Sequence, residues 1–165
     1  MQKFRTLSLA VCLLGLFSAP ASSQRPSIED LREEVRQEVI SMAKLTQEIV
    51  DMVYSFSELG FQEIWTADYL SGVLRDEGFE IEMGAAGMPT NYVATWGSGS
   101  PVVGFMGDFD GLPETSQKPG VPWRQAMIPG GPGHGEGHNT TPAVDITAAI
   151  AVKRVMERHG VEGTL

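Results

Sequence analysis

Cysteine is almost absent from this sequence. The one cysteine, Cys12, lies in an N-terminal apolar run, so no disulfide can join two parts of the chain. Any metal site in the remainder must use nitrogen and oxygen ligands rather than thiolates. Basic residues are also scarce, since 12 Lys and Arg stand against 21 Asp and Glu, for a formal net charge of −9 at pH 7. This balance argues against nucleic acid and anionic membranes as partners, because both are bound through basic surfaces.

Long apolar runs are missing except near the N-terminus. The run there, residues 7–17, is shorter than the ~20 residues that span a membrane. Lys3 and Arg5 precede it, and small residues follow it. This order is typical of a secretory signal peptide, so we expect residues 1–21 to be a leader, residues 22–27 a linker, and the protein to be periplasmic or secreted. An uncleaved anchor and a buried helix are the alternatives.

Three stretches have helical periodicity. Apolar residues recur in three- and four-residue steps over residues 28–53, which predicts one long amphipathic helix. A second helix is expected over residues 64–76. A third should begin at Pro142, with Thr141 as its cap, and end before Gly160.

Strand patterns separate the second and third helices. Residues 79–83 alternate apolar and acidic side chains, residues 91–96 are rich in aromatic and β-branched ones, and residues 101–106 are nearly all apolar, as in a buried central strand. We therefore expect an α/β fold with a mixed sheet and flanking helices. Residues 161–165 look like the start of another strand, which favours a fragment of a longer protein over a short protein with a frayed tail.

Two carboxylates follow the apolar strand. Asp108 and Asp110 are separated by one residue, so in an extended chain they point to the same side, about 6–7 Å apart. The carboxyl ends of strands are where ligands bind in open α/β sheets, and paired carboxylates attract a cation or a proton. A turn that uses Asp for local hydrogen bonds is an equal alternative.

The glycine-rich loop of residues 133–139 carries His134, Glu136 and His138 at alternate positions. Imidazole and carboxylate groups are the natural ligands of zinc and similar metals, so the loop predicts a metal site. A phosphate site at the following helix start is a rival, although Glu136 would repel phosphate. Surface histidines in a flexible loop are a third alternative. His159, at the end of the last helix, is interpreted as structural.

Four segments together resemble a known enzyme family. They are Glu-Leu-Gly-Phe-Gln-Glu at residues 58–63, a strand and turn at residues 104–113, Gly-His-Gly-Glu-Gly-His-Asn at residues 133–139, and a helix with a Gly-Thr turn at residues 148–164. Their combination, over about residues 28–165, resembles the zinc-dependent amidohydrolases of the aminoacylase and carboxypeptidase type. The nearest branch is that of the p-aminobenzoyl-glutamate utilisation proteins and indole-acetyl-amino-acid hydrolases. The resemblance implies the N-terminal part of a zinc-peptidase-like catalytic domain.

Site roles follow from the resemblance. Glu136 and His138 match positions of metal ligands, and His134 matches a further histidine. Asp110, the candidate catalytic residue, matches the acidic residue that follows the strand and helps to orient the site. Asp108, singled out above by its spacing, is the fourth candidate metal ligand. The family implies two divalent ions, normally zinc.

One residue departs from the family pattern, which has a metal-binding cysteine where this chain has Glu136. A carboxylate oxygen binds zinc at about 2.0–2.2 Å, against about 2.3 Å for sulfur. Because oxygen is a harder ligand than sulfur, Glu136 should shift the metal preference of the site from zinc toward manganese or cobalt. It also suits an oxidising compartment.

The expected activity is metal-dependent hydrolysis of the amide bond in N-acyl or N-aroyl amino acids or small peptides. In the family, a glutamate general base and a smaller lid or dimerisation domain come later than Leu165. We therefore expect this chain alone to be inactive and poorly stable, and the longer protein to be a homodimer. The alternative is a catalytically inactive ligand- or metal-binding protein with the same fold.

Overall fold

The computed structural model describes residues 26–165. The predicted leader and most of the predicted linker lie outside the described residues. Within this part of the chain the elements follow in the order α1 (Ile28–Ser41), α2 (Ala43–Phe56), α3 (Ile64–Asp76), β1 (Glu80–Met83), a 3-10 turn (Ala85–Gly87), β2 (Tyr92–Thr95), β3 (Gly97–Ser98), α4 (Thr141–His159) and β4 (Gly163–Thr164).

The long helix predicted over residues 28–53 is two helices, so its predicted continuity is wrong. Met42 leaves helical geometry between α1 and α2, with φ −93° and ψ 10°, and it lies in the core. The break lets α2 bury Ile49 and Val53 while α1 lies against α4. Because the apolar steps continue across Met42, periodicity alone does not reveal the break.

Helix α4 forms the centre of the core and contacts the other three helices. Its alanines allow the neighbouring helices to approach closely, and Ile150 is fully buried. None of the helices in residues 26–165 is long and apolar enough to cross a lipid bilayer. The buried side chains around α4 come from α2, α3 and the residue before β1, namely Ile49, Val53, Leu70, Leu74 and Phe79.

The start of α4 differs slightly from the prediction. Thr140, not Thr141, is the N-cap residue, and its hydroxyl donates to the carbonyl of Gly137 instead of capping the helix. Pro142 is the second helical residue rather than the first. The C-terminal end is confirmed, because Gly160 adopts φ 60°, the left-handed geometry that stops a helix.

The strands of the described residues form two separate antiparallel pairs. Strand β1 pairs with β2 from Glu80 opposite Thr95 to Met83 opposite Tyr92, and β3 pairs with β4. Tyr92, Ala94 and Trp96 pack against the helical core. The predictions for the first two strands and for a strand near residues 161–165 are confirmed.

The prediction of a buried central strand at residues 101–106 is wrong. Val102 alone forms a bridge, to Thr164 of β4, and the side chains are open to solvent, with Val102 73% and Met106 93% exposed. A central strand needs a neighbour along its whole length on both sides. Here β4 accompanies only the first residues of the segment.

Glu58 fixes the start of α3 and connects it to the segment after Asp110. Its carboxylate accepts hydrogen bonds from the N–H groups of Trp65 (3.1 Å) and Thr66 (2.8 Å) and from the Thr66 hydroxyl (2.8 Å). Its backbone carbonyl accepts the N–H of Gly111 at 2.7 Å. One residue therefore satisfies free donors at the helix N-terminus and positions the turn after Asp110.

Replacing the carboxylate of Glu58 should destabilise the fold. For Glu58→Ala we expect a loss of about 1 kcal/mol in the free energy of unfolding, as for other lost helix caps, and a smaller loss for Glu58→Gln, which keeps one acceptor oxygen. Urea unfolding followed by circular dichroism measures both. The control is Glu48→Ala, which removes only an exposed ion pair with Lys44; equal losses in Glu58→Ala and Glu48→Ala would contradict the capping role.

Candidate metal centre

Backbone pairing holds the two motif segments together. Leu112 and Gly133 exchange N–H···O bonds of 2.8 and 3.0 Å, and the N–H of Gly111 binds the carbonyl of Glu58. A Cβ atom at Gly133 would lie 2.4 Å from the carbonyl oxygen of Thr115, closer than atoms can approach. Glycine at 133 is therefore required for the loop of residues 133–139 to reach the segment that carries Asp110.

Three of the predicted site residues meet at this junction. The Nδ1 atom of His138 lies 2.8 Å from Oδ1 of Asp110 and 3.4 Å from Oε1 of Glu136. All three side chains are partly exposed, at 33% for His138, 36% for Asp110 and 25% for Glu136. Since Nδ1–H donates to the carboxylate, Nε2 is the ring nitrogen left for another ligand, the arrangement that orients histidine at metal sites.

The surroundings of His138 favour positive charge. The hydrogen bond to Asp110 raises the pKa of His138 above its ordinary value, and the charges of Glu136, Asp110 and Asp108 act in the same direction, while partial burial opposes them. A bound divalent cation would be stabilised by the same three carboxylates.

The surroundings of His134 shift its pKa in the opposite direction. Its Nε2 atom lies 3.0 Å from the carbonyl oxygen of Val53 in α2, so Nε2 carries the proton. Its Nδ1 atom is buried and has no hydrogen-bond partner in the described part of the chain. Burial lowers the pKa of His134. A neutral imidazole with a free lone pair is the form that binds metals.

Asp108 lies apart from this cluster but lines the same cleft as Asp110. The cleft has a volume of about 290 Å³ and is open on one side. Its wall also includes Phe61 and Glu63, whose buried carboxylate accepts a hydrogen bond of 2.7 Å from Thr90. The two aspartates therefore share one cleft, although the extended strand from which their common orientation was predicted is not formed.

The donor set fits a divalent cation chemically, with two imidazoles and three carboxylates at or beside one junction. Across residues 26–165, however, no three His, Cys, Asp or Glu side chains are grouped so that they could hold one ion among them. His138 is hydrogen-bonded to Asp110 instead, and Glu136 lies 3.4 Å from the same ring nitrogen. The metal roles of Asp108, His134, Glu136 and His138, and the orienting role of Asp110, therefore stay predictions.

Asp145, in the first turns of α4, is a polar residue that the sequence pattern did not single out. Its Oδ2 atom is buried without a hydrogen-bond partner among residues 26–165, and burial raises its pKa. A Cβ atom at Gly107 would lie 2.6 Å from this oxygen. In the sequence, the feature that could have drawn attention to Asp145 is its position, an acidic residue between apolar helix residues just after the Gly-rich loop.

Removing the charge of Asp110 should lower the pKa of His138. Asp110→Asn abolishes the charged acceptor that is the largest cause of the raised pKa, so the imidazolium should lose its proton at lower pH. Asp108→Asn is the matched control and should have a much smaller effect, because Asp108 contributes least. NMR titration of the His138 ring in the metal-free chain measures both; an unchanged pKa in Asp110→Asn would refute the contact.

Comparison with known proteins gives a sequence relative and two structural ones, although no family model matches the chain. The sequence relative is one of the subunits of the p-aminobenzoyl-glutamate hydrolase of Escherichia coli (strain K12). The chain is 35% identical to it over 118 residues, which are 72% of this chain and 24% of that protein. The chain therefore spans about a quarter of the length of this curated relative.

Two solved structures share the fold. A protein assigned as an aminohydrolase from methicillin-resistant Staphylococcus aureus superposes with a TM-score of 0.64 at 22% identity, covering 80% of this chain and 33% of that one. A dinuclear metal-binding peptidase of the M20 family from Bacillus subtilis superposes with a TM-score of 0.54 at 23% identity, covering 73% and 33%. The expected fold class is confirmed. The sequence match and the shared fold agree with the family resemblance seen in the sequence, over about a quarter to a third of the length of those proteins.

Proposed function

We propose that this chain supplies one side of the metal centre of an amidohydrolase, and that a longer protein containing it hydrolyses the amide bond of N-acyl or N-aroyl amino acids. The observation that carries the proposal is the junction of Asp110, Glu136 and His138, where a carboxylate holds Nδ1 of the histidine and leaves Nε2 for a ligand.

The names of the relatives support this substrate class. The Escherichia coli relative is named as part of a p-aminobenzoyl-glutamate hydrolase, and p-aminobenzoyl-glutamate is an aroyl group joined to an amino acid by an amide bond. The Bacillus subtilis structure is described as a dinuclear metal-binding peptidase, which also acts on amide bonds. We extend both properties to the longer protein as a proposal.

Each residue has a distinct task in this proposal. His138, through Nε2, and Glu136, through its carboxylate, bind a divalent ion, and Asp110 positions the imidazole. His134 and Asp108 are further candidate ligands, the first through its buried Nδ1 and the second from the shared cleft. When bound, the metal polarises a carbonyl and lowers the pKa of water.

Glu136 also bears on the identity of the metal and on the compartment. An oxygen ligand widens the choice from zinc to manganese or cobalt, and unlike a thiolate it is not oxidised outside the cytoplasm. Two divalent ions, export from the cytoplasm and a homodimeric longer protein also belong to the proposal. The name of the Bacillus subtilis structure supports the first, the leader pattern of residues 1–21 supports the second, and the third rests on the family resemblance.

The same residue favours a second candidate function. If a carboxylate at position 136 does not support catalysis, the fold would serve a catalytically inactive protein that binds a metal or an amino-acid derivative. Hydrolytic activity of the longer protein distinguishes the two, because metal binding is compatible with both.

Chelation and loss of His138 should both abolish hydrolysis by the longer protein. We expect His138→Ala to reduce kcat/KM for N-acyl amino acids by more than about 100-fold, since loss of even an outer partner of a metal ligand costs about 10–100-fold. His159→Ala is the control, because His159 contacts Glu34 at the opposite end of α4. Full activity after both chelation and His138→Ala would refute the proposed function.

A cysteine at position 136 should change the metal preference. Glu136→Cys replaces a hard oxygen by a soft thiolate, so affinity for zinc should rise relative to manganese. Glu136→Gln, which keeps the size but removes the charge, should weaken both metals without that shift. Competition titrations with a chromophoric chelator measure the ratio. The same zinc-to-manganese ratio in Glu136→Cys and the unmodified protein would show that residue 136 is not a ligand.

A further inference from the structure

The turn at residues 59–62 carries an aromatic side chain where glycine is the usual residue. The N–H of Gln62 donates to the carbonyl of Leu59 at 2.9 Å, so Phe61 occupies the third position of a four-residue turn. Its φ is 63°, a left-handed value that is rare for a bulky side chain. Turns with a positive φ at this position prefer glycine or asparagine there. Backbone strain of this kind is concentrated at active sites and ligand sites, so the phenyl ring is a candidate for a ligand contact.

Packing inside the described part of the chain does not explain the ring. Phe61 is 74% exposed, and none of the aromatic pairs within residues 26–165 includes it. Phe109, which lines the same cleft, differs in both respects, because it stacks on Tyr92 with ring centroids 6.0 Å apart and packs against the core. Among the described residues, both faces of the Phe61 ring are therefore free of an aromatic partner.

Phe61 lies beside the residue that holds His138. A Cβ atom at Gly60, the residue before Phe61, would lie 3.5 Å from Oδ2 of Asp110, and Oδ1 of Asp110 binds Nδ1 of His138. The cleft next to this point is enclosed by three segments, namely residues 60–63, 88–91 and 107–110. A substrate group in the cleft would therefore have the candidate metal centre at one end.

The charges of the cleft decide which half of a substrate it can hold. Three carboxylates line it, those of Glu63, Asp108 and Asp110, whereas no Lys, Arg or His of residues 26–165 does. The amino-acid half of an N-acyl amino acid carries at least one carboxylate, which these like charges would repel. An uncharged acyl half meets no such repulsion, so the cleft suits the acyl half.

The same lining favours an aromatic acyl group over an aliphatic one. A free ring face, as on Phe61, binds another ring in an offset or edge-to-face arrangement, and the Met88 thioether makes favourable contacts with aromatic rings. The edge of an aromatic ring is the positive part of its quadrupole, so a carboxylate such as that of Asp108 is compatible with it. The volume of about 290 Å³ is at the lower end for small-molecule sites and suits a single ring.

We propose that the cleft between residues 60–63, 88–91 and 107–110 is an aroyl subsite, and that Phe61 is its specificity-determining residue. The cleft takes the aromatic acyl group of the substrate, and the amino-acid half stays outside it. That the aroyl group belongs to a hydrolysed amide rests on the proposed function, whereas binding of an aromatic amide to the cleft does not require hydrolysis.

Two uncharged amides test the subsite without catalysis. Benzamide and cyclohexanecarboxamide have rings of similar size, but only the ring of benzamide is aromatic. We expect benzamide to bind the longer protein about fivefold more tightly. NMR titration of the isotope-labelled methyl group of Met88 measures both dissociation constants, with Met127, which lies outside the cleft, as the internal reference. Equal dissociation constants for the two amides would overturn the proposal.

Phe61→Gly separates binding from folding. Because glycine suits a positive φ, we expect the urea midpoint of unfolding to stay the same or rise, while the affinity for benzamide falls about fivefold. Phe61→Tyr keeps the ring and should keep the affinity. The matched control is Trp65→Ala, since Trp65 is 68% exposed and lies outside the cleft. A lowered midpoint in Phe61→Gly would assign the ring to folding, and unchanged benzamide affinity would remove it from the cleft; either result overturns the proposal.

Hydrolysis by the longer protein measures the same preference. The ratio of kcat/KM for N-benzoyl-glutamate to that for N-acetyl-glutamate should fall about fivefold in Phe61→Gly and stay constant in Trp65→Ala. An unchanged ratio in Phe61→Gly would overturn the proposal. If the unmodified protein hydrolyses neither substrate, the proposed function fails, and the benzamide titration still decides whether the subsite exists.

The exposed neighbours of Phe61 provide the alternative explanation of the ring. Phe61, Ile64 and Trp65 are all exposed, and exposed apolar patches are also used for contacts between proteins. Sedimentation velocity of the longer protein distinguishes the two uses. Dissociation of an oligomer by both Phe61→Gly and Trp65→Ala, with benzamide affinity unchanged, would assign the ring to a protein interface and overturn the proposal.

Discussion

The backbone pairing of Leu112 with Gly133 is the constraint on which the candidate site depends. It fastens the loop of residues 133–139 to the segment after Asp110, and the Gly111–Glu58 bond fastens that segment to the start of α3. No side chain larger than hydrogen fits at 133, because a Cβ atom would meet the Thr115 carbonyl at 2.4 Å. Glycine in this loop is therefore needed for two reasons: it lets two backbones approach closely, as at Gly133, and it lets the chain turn tightly.

That constraint places two histidines of one loop in contrasting environments. His138 lies among carboxylates that favour its protonated form, whereas His134 is pressed against α2, where burial favours the neutral ring. The first offers Nε2 in a field that attracts cations, and the second keeps a nitrogen lone pair that no described residue binds. Buried polar atoms without partners are uncommon in folded proteins, so Nδ1 of His134 is an unusual atom among the described residues.

The sequence predicts the local elements well and the pairing of strands poorly. The helix at residues 64–76 and the end of α4 follow from periodicity and from glycine, because both are local properties. The helix breaks at Met42 although the three- and four-residue spacing of apolar side chains continues across it. The break depends on how α2 packs against α4, which is not a local property of the sequence. The apolar content of residues 101–106 predicts a central strand, yet strand pairing depends on neighbours distant in sequence, and β4 covers only the first part of the segment.

The site was predictable as two motifs and not as a geometry. Residue types and spacing single out Asp108, Asp110, His134, Glu136 and His138. The contact between Asp110 and His138, however, spans 28 positions and exists only because of the Leu112–Gly133 pairing. Asp145 escapes sequence analysis because its significance lies in burial without a partner among the described residues, which no spacing reveals.

The central claim is that this junction is one side of a metal centre. Anomalous diffraction at the zinc absorption edge, from crystals of the protein grown with zinc, tests it most directly. The account predicts an anomalous peak next to Nε2 of His138 and the carboxylate of Glu136, with Asp110 still bound to Nδ1. A metal bound only elsewhere on the protein, with His138 and Glu136 free of it, would contradict the account.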